Sequence, residues 1–251
     1  NLYLSKKIKK KFRNINLVYD SVQNPWLFFN LKSKNSFLRK NFNNIDYAFT
    51  SLKKTFPISD GNIMFTRKNI DLKNTNSEKI TYKIWLKASK TKNLFILNRG
   101  KTDLEDKYLN LFKKIKKINK KHNLSMSKDS INLFKKIDFF KIAKIRKYNY
   151  LKLYDELKNN KKIKIFKLKK SNIPMFFPIF LKEIDRNIVF KKLKKIGIFC
   201  PIHWPLVKDF KKKISSSNQN LYLNEISIPI DHTINEDNLN FLLISLKQIL
   251  K

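Results

Sequence analysis

Hydrophobic and polar positions along the first 65 residues predict three short strands separated by turns. The first covers residues 16–20 (N-L-V-Y-D), the second residues 45–52 (I-D-Y-A-F-T-S-L) and the third residues 61–65 (G-N-I-M-F). The turn residues at positions 57–60 separate the second strand from the third. Asp20 then ends the first strand, and the pair Lys53 and Lys54 directly follows the second.

From residue 76 to residue 150 the apolar residues recur every three or four positions, which predicts helices. One helix carries an apolar face and a lysine-rich opposite face, the apolar residues being Leu104, Tyr108, Leu111, Phe112, Ile115 and Ile118. Another helix is predicted over residues 137–157. We expect the lysine-bearing sides of these helices to face solvent.

A polar, lysine-rich segment at residues 158–172 marks a boundary, and the remainder is typical of a compact α+β unit. Its pattern predicts strands at residues 174–181, 198–205 and 225–231, with a polar loop before the last of them. A helix over residues 188–197 is expected to end at Gly197 in the C′ position. A final helix is expected to run through residue 250.

The net charge admits a second interpretation of the whole chain. The 251 residues include 56 Lys+Arg and 19 Asp+Glu, which gives a formal net charge of +37. Such a charge is typical of proteins that bind nucleic acid or anionic surfaces. However, the lysines run along the whole length, and a chain rich in Lys, Asn, Ile and Phe with only three Gly is what AT-rich codons favour. We attribute the charge mainly to codon bias and keep a basic nucleic-acid-binding or ribosome-associated protein as the alternative.

Several classes of site and location are disfavoured by the remaining composition. A single cysteine, Cys200, excludes an intrachain disulfide, and His122, His203 and His232 lack metal-ligand spacing, so no metal site is predicted. No apolar run approaches the roughly 18 to 20 residues that span a bilayer. Residues 6–11 (K-K-I-K-K-K) are not followed by the apolar segment of a signal peptide. We therefore expect no membrane partner and a cytoplasmic location.

The residues at the strand ends match the needs of pyridoxal 5′-phosphate (PLP) chemistry. Such an enzyme requires a lysine for the cofactor aldehyde, an acid against the pyridine nitrogen and donors for the phosphate. These groups lie at the carboxyl ends of strands in α/β sheets. Asp20 ends one predicted strand, and Ser51 stands just before the Lys53–Lys54 pair at the end of the next.

Four segments in order resemble the DegT/DnrJ/StrS sugar aminotransferases, a branch of the fold type I PLP enzymes. They are residues 20–23 (D-S-V-Q), 45–61 (I-D-Y-A-F-T-S-L-K-K-T-F-P-I-S-D-G), 197–205 (G-I-F-C-P-I-H-W-P) and 225–231 (E-I-S-I-P-I-D). Residues 144–153 (K-I-R-K-Y-N-Y-L-K-L) are similar to the family's segment between its two domains. The resemblance implies an α/β fold: part of a PLP-transferase large domain in residues 1–145, with a three-layer, mostly parallel sheet, and a small α+β C-terminal domain in residues 146–251.

The same resemblance implies roles for individual residues. Lys54 corresponds to the catalytic lysine that bonds covalently to PLP, and Asp20 to the carboxylate paired with the pyridine nitrogen. Gln23 would contact the ring's phenolic oxygen, and Ser51 would donate to the phosphate. The implied reaction takes an amino group from an amino-acid donor, usually glutamate, to a keto-sugar that is commonly nucleotide-linked. A homodimer is implied as well.

The chain also departs from the family pattern. Family members are longer at the N-terminus, where they carry a Gly-containing phosphate-binding turn and an aromatic residue stacked on the ring. This chain begins with Asn, has Asn62 where a second Gly is expected, and lacks the Gln-Arg-Tyr that tends to follow the residue equivalent to Asp231. We therefore expect an N-terminally truncated or degenerate copy that does not catalyse alone.

Other conspicuous residues are expected to have structural roles. His203 and Trp204 are predicted to be a packed pair at a strand end, although relatives place this motif beside the active site. Asp231 is predicted to support the turn before the last helix, and Cys200 to be buried. Arg146 and Asn149, at the predicted domain junction, are also expected to be structural.

Overall fold

The computed structural model describes residues 2–12, 14–29, 42, 44–70, 79–98, 103–121, 125–203 and 214–251. The chain divides into two compact units, Asn1–Phe140 and Lys141–Lys251. The assignment of residues 1–145 to a cofactor-binding part and of residues 146–251 to a small domain stays a prediction.

The three strands predicted in the first 65 residues are present and form one sheet. They are β1 (Val18–Asp20), β2 (Tyr47–Ser51) and β3 (Asn62–Thr66), in the spatial order β1-β2-β3. Strand β1 runs parallel to β2, with Asp20 beside Phe49, whereas β3 is antiparallel to β2, with Asn62 beside Ser51. The sheet is therefore mixed in the described residues, and the three-layer, mostly parallel arrangement stays a prediction.

The helices of this part of the chain confirm the change to helical periodicity. They are α2 (Lys79–Leu97), α3 (Leu104–Lys121), α4 (Lys128–Lys135) and α5 (Phe139–Leu157). One further helix, α1 (Leu2–Lys11), was not predicted from its lysine-rich sequence. It is held by Lys9, whose Nζ lies 2.6 Å from Asp46 Oδ2, the same oxygen that accepts the Leu17 N–H. These two contacts lower the pKa of Asp46, since both favour the charged carboxylate.

The second unit is built on an antiparallel sheet, as its alternating pattern indicates. Strands β4 (Ile163–Lys164), β5 (Phe176–Leu181) and β6 (Glu225–Pro229) lie in that order. Alternate residues of β5 enter the core, where they meet apolar residues of α6 (Arg186–Lys195) and of the last helix, α8 (Glu236–Ile249). The largest fully buried side chains in this core include Leu153, Phe177, Ile179, Leu193, Ile226 and Ile228.

The predicted end of α6 at Gly197 is confirmed. Gly197 has a φ of 85° and donates its N–H to Lys194 O, while the Ile198 N–H reaches back to Leu193 O. These two bonds satisfy carbonyls that the helix end leaves open, and the positive φ requires a residue without Cβ.

Two predictions for the second unit were wrong. Residues 198–203 form no strand, although the Pro201 carbonyl accepts the Ser227 N–H of β6. Residues 204 and 205 of that prediction lie outside the described residues. The predicted polar loop contains a helix, α7 (Ser216–Asn224), which begins after Ser215 and is supported by a bond from Gln219 Nε2 to Ile214 O. Among the described helices, none combines the length and the apolar character that crossing a bilayer requires.

Candidate active site

The parallel pairing of β1 and β2 brings three of the predicted site residues to one edge of the sheet. Asp20 is the last residue of β1, and Ser51 is the last residue of β2. Lys54 is the last residue of the 3₁₀ turn Leu52–Lys54 that follows directly. Because parallel strands end at the same edge, a carboxylate, a hydroxyl and an amine are presented on that side.

Asp20 is exposed and begins the loop that carries Gln23. Its Oδ1 accepts the Val22 N–H at 2.8 Å, so the side chain helps the chain to turn after the strand. This bond occupies Oδ1. Gln23, the fourth predicted residue, lies in the same turn and is half-buried.

The loop after β1 is fixed to β2 by hydrogen bonds around the buried Ser21. The Ser21 N–H donates to Phe49 O at 2.8 Å, and Thr50 Oγ1 donates to Ser21 O at 2.8 Å. Ser21 Oγ donates to Asn24 O, which closes the turn. The loop that bears Asp20 and Gln23 is therefore tied to the strand that ends at Ser51. Sequence reasoning missed the roles of Ser21 and Thr50, although both lie inside the matching segments.

The turn after β2 separates an inward leucine from two outward lysines. The Leu52 N–H donates to Gly61 O at 3.1 Å, and Leu52 O accepts from the N–H groups of Thr55 and Phe56. The Leu52 side chain is buried, whereas Lys53 and Lys54 are exposed. The turn thus holds both lysines out of the core while its first residue anchors it.

An aromatic cluster lies beneath both loops. The Phe56 ring, just after the lysine turn, packs edge-on against Trp26 at 5.4 Å and against Phe29 at 5.7 Å, both from the loop after β1. Phe134 and Phe139 complete the cluster, with Phe29 stacked on Phe139 at 4.5 Å. Aromatic pairs of this kind add roughly 0.5–1.5 kcal/mol each beyond their buried area. The cluster couples the loop of Asp20 to the turn of Lys54.

The segment P-I-S-D-G that follows the lysine turn is anchored to the start of α4. Asp60 Oδ1 accepts from the Ser127 backbone N–H at 3.0 Å and lies 3.2 Å from Ser127 Oγ, which also caps the helix by accepting from the Ser130 N–H. The hydroxyls of Ser59 and Ser130 are 2.8 Å apart. Sequence reasoning assigned no role to Asp60, whose spacing from Lys54 was the available signal.

The residues at this edge fit the chemistry of PLP. Carboxylate, hydroxyl and amine are the groups that the pyridine nitrogen, the phosphate and the aldehyde require. In addition, Thr55 Oγ1 is fully buried beside Lys54 and has no hydrogen-bond partner within the described part of the chain. A buried hydroxyl without a partner is costly, so this turn retains unused capacity to bind a polar group. Among the described residues, no three His, Cys, Asp or Glu side chains group as a metal site would require.

In the second unit, Arg146 and Asn149 join α5 to the loops around the sheet. Arg146 is buried and donates from Nη1 to Met175 O at 2.9 Å, and desolvation lowers the pKa of its guanidinium. Asn149 Nδ2 donates to the carbonyls of Ile230 and Asp231 at 3.4 and 3.3 Å. The Asp231 carboxylate accepts from Thr233, as predicted for a residue that shapes the turn before α8. The structural roles expected of these residues are confirmed.

His203 is packed rather than extended into open solvent. Its ring lies 4.7 Å from the Phe176 ring, and Nδ1 is 2.9 Å from Ser227 Oγ, which in turn donates to Glu225 Oε1 at 2.5 Å. Trp204, the other member of the predicted pair, lies outside the described residues. Cys200 is buried as predicted, and burial raises the pKa of its thiol to about 12.

Comparison with solved structures finds proteins of similar fold. No protein-family model and no curated protein matches the sequence. A protein of Streptococcus pneumoniae described as a sugar aminotransferase, in its PLP form, matches over 96% of this chain and 59% of its own, with a TM-score of 0.57 and 16% identity. A DegT DnrJ EryC1 StrS aminotransferase from Brucella abortus matches over 99% of this chain and 60% of its own, with a TM-score of 0.55 and 13% identity.

A third match is DesI, solved in the presence of its TDP-sugar product. It covers 98% of this chain and 58% of its own, with a TM-score of 0.60 and 12% identity. The chain thus spans about three-fifths of the length of the structures it matches. The resemblance to the sugar aminotransferases that the sequence motifs indicate is confirmed at the level of the fold.

Proposed function

We propose that the protein is a PLP-dependent aminotransferase that transfers an amino group from glutamate to a nucleotide-linked keto-sugar. The observation that carries this proposal is the parallel pairing of β1 and β2, with Asp20 and the Ser51–Lys54 segment at the same edge. The shared fold with sugar aminotransferases supports the reaction class. The TDP-sugar product of DesI supports a nucleotide-linked acceptor.

Four residues of this chain would hold the cofactor, which supplies an electron-accepting ring for carbanion chemistry. The Asp20 carboxylate would accept a hydrogen bond from the pyridine N–H and hold its proton there. The Gln23 amide would donate to the phenolic oxygen, and Ser51 Oγ would donate to the phosphate. Lys54 Nζ would bind the aldehyde covalently and then, once released, carry a proton as a general base.

The aromatic cluster and the Asp60–Ser127 contact would keep these groups in place during the reaction. Catalytic groups must be held close to their productive positions, and small displacements lower rates strongly. Phe56 and Leu52 are buried on either side of the lysine turn, which fixes its backbone while Lys54 stays outside the core. Catalysis, the homodimer and the cytoplasmic location are proposed for the whole protein, because the chain spans about three-fifths of the related structures.

Covalent trapping of the cofactor tests the assignment of Lys54. The chain is incubated with PLP, reduced with borohydride and digested, and the pyridoxyl group is located by mass spectrometry. We expect the label on Lys54, its loss in Lys54→Arg and its persistence in Lys53→Arg, a matched control because the two lysines are adjacent and both exposed.

The same experiment can contradict the proposal. With so many surface lysines, adventitious labelling should follow exposure alone and should be equal at Lys53 and Lys54. That pattern would show that the site does not select its lysine. Asp20→Ala should lower the fraction of PLP retained after gel filtration, whereas an unchanged fraction would remove Asp20 from the site.

A further inference from the structure

Helices α2 and α3 form an antiparallel hairpin. The Phe95 and Tyr108 rings lie 5.6 Å apart near the connection between the helices. Seven residues farther from the connection in each helix, Ala88 is fully buried and Ile115 nearly so. The extensive contacts of each helix are with the other. The face of each helix that packs against the other is thus marked by residues seven positions apart. The other faces of the two helices do not take part in this packing.

One side of this hairpin carries five exposed lysines, which we call the basic flank: Lys83, Lys87, Lys90, Lys114 and Lys117. The first three recur at i, i+4 and i+7, so they share one side of α2. Lys87 and Lys114 each stand one residue before the inward-facing residue of their helix, Ala88 or Ile115. In an antiparallel pair of helices, residues that precede the inward-facing residue by the same number of positions lie on the same side of the pair. Lysines of both helices are therefore side by side.

In the described part of the chain, the basic flank has no compensating carboxylates. Within the described residues, no carboxylate oxygen lies within 4 Å of any of its five ammonium groups. The acidic residues of the hairpin stand at the connection end, where Asp103 pairs with Lys107. By contrast, Lys247 on the last helix is paired with Glu156. Codon bias accounts for the number of lysines, but rows of like charge at i, i+4 destabilise a helix unless an anion neutralises them.

We propose that the basic flank binds the phosphate backbone of a nucleic-acid duplex. The row from Lys83 to Lys90 is about 10 Å long at 1.5 Å per residue. A duplex presents phosphates about 3.4 Å apart along each strand, so such a row spans several charges. The aromatic residues of α2, Tyr82, Trp85 and Phe95, fall outside the i, i+4, i+7 row of lysines, which disfavours the base stacking of single-strand binders.

An anionic membrane suits this surface less well. Binding at a bilayer surface requires apolar side chains that insert beside the basic ones. The exposed Leu94 stands four residues after Lys90 and continues the lysine row, and Leu97 follows it toward Asp103 and the first turn of α3, which carries Glu105 and Asp106. One leucine at the end of the row, close to negative charge, is a smaller apolar surface than insertion into a bilayer requires.

Salt-dependent binding to a duplex tests the proposal on the full chain. The Kd for a short fluorescein-labelled DNA duplex is measured by anisotropy at several salt concentrations. Each lysine on a phosphate adds about 1 to the slope of log K against log salt. Replacing Lys83, Lys87 and Lys90 together by Gln should therefore reduce the slope by about 3. Gln keeps the helix propensity of Lys, and circular dichroism checks the helix content.

The matched control is Lys191, Lys192 and Lys195→Gln on α6, three exposed lysines whose loss changes the net charge equally. The proposal predicts a slope and a Kd close to those of the unaltered chain for this control. Equal losses in both variants would show binding through net charge and would overturn the proposal. No binding by the unaltered chain at low salt, or tighter binding to phosphatidylserine vesicles than to the duplex at the same salt concentration, would overturn it as well. The outcome is independent of Lys54 and of the proposed aminotransferase.

Discussion

Gly61 closes the turn that carries Lys54, and replacing it by Ala should loosen that turn measurably. Its φ is +113°, a backbone conformation that residues with a side chain rarely adopt. Holding Ala there costs about 1–3 kcal/mol. A Cβ would also stand 2.7 Å from Met126 Sδ and 2.9 Å from its Cε. If Met126 cannot turn away, overpacking adds about 1–3 kcal/mol.

A double-mutant cycle separates these two contributions. Met126→Ala removes the atoms that the Cβ introduced by Gly61→Ala would meet, but it leaves the backbone strain unchanged. We therefore expect Gly61→Ala to be less destabilising in the Met126→Ala background, with a coupling free energy of about 0.5–2 kcal/mol. Urea unfolding followed by tryptophan fluorescence measures it, because Trp26 lies in the aromatic cluster beside the turn. The transition is fitted for the first unit by itself, since two units need not unfold together.

The outcome bears on the site as well as on stability. Gly61 O accepts the Leu52 N–H, so a shift at Gly61 is transmitted to the start of the lysine turn. We expect Gly61→Ala to reduce borohydride trapping of PLP at Lys54 even where the protein is still folded. If Gly61→Ala left the free energy of unfolding unchanged, the positive φ would be refuted. If the effects of Gly61→Ala and Met126→Ala on the free energy of unfolding were strictly additive, the contact with Met126 would be refuted.

Two further predictions concern the second unit. Burial and the neighbouring Arg146 lower the pKa of His232 below its usual 6.5, whereas Asp231 opposes the shift. The stabilisation from neutral His232 is therefore complete above pH 6.5 and is lost as the pH falls through the lowered pKa. His232→Gln should flatten that part of the profile of the free energy of unfolding against pH. A profile unchanged by His232→Gln but flattened by His203→Gln would refute the assignment. Cys200, with its pKa raised to about 12 by burial, should react with a thiol reagent at neutral pH only after unfolding. Rapid modification of the folded chain would contradict its burial.

Strong local patterns explain what the sequence could predict of the fold. The short strands at residues 18–20, 47–51 and 62–66 are flanked by turn residues, and the amphipathic α3 and α8 keep their periodicity throughout. Gly197 marked a helix end because left-handed backbone favours glycine. Each of these signals lies within a few residues of the element that it predicts.

The elements that could not be predicted depend on distant partners. Helix α1 is rich in lysine and is held by the ion pair between Lys9 and Asp46, 37 residues apart in sequence. Residues 198–203 have the composition of a strand, yet they form none, and Pro201 does not explain this alone because Pro178 lies inside β5. Likewise, the sequence motifs nominated Asp20, Ser51 and Lys54, but only the strand pairing brings their backbones to one edge. The spacing of Asp60 from Lys54 marks the residue but does not indicate its partner, Ser127, which lies 67 positions away.

The contact between the P-I-S-D-G segment and α4 also sets the order in which this part of the chain can fold. Asp60 and Ser127 are 67 positions apart, and Ser59 and Ser130 are 71 apart. Closing a loop of that length is slow relative to forming a helix or a hairpin. During synthesis, the turn bearing Lys54 leaves the ribosome long before the residues that lock it, so its lysine stays in a loosely held segment until α4 has been made. A chain cut before residue 125 would therefore contain every nominated cofactor ligand and still lack the fixed turn that they need.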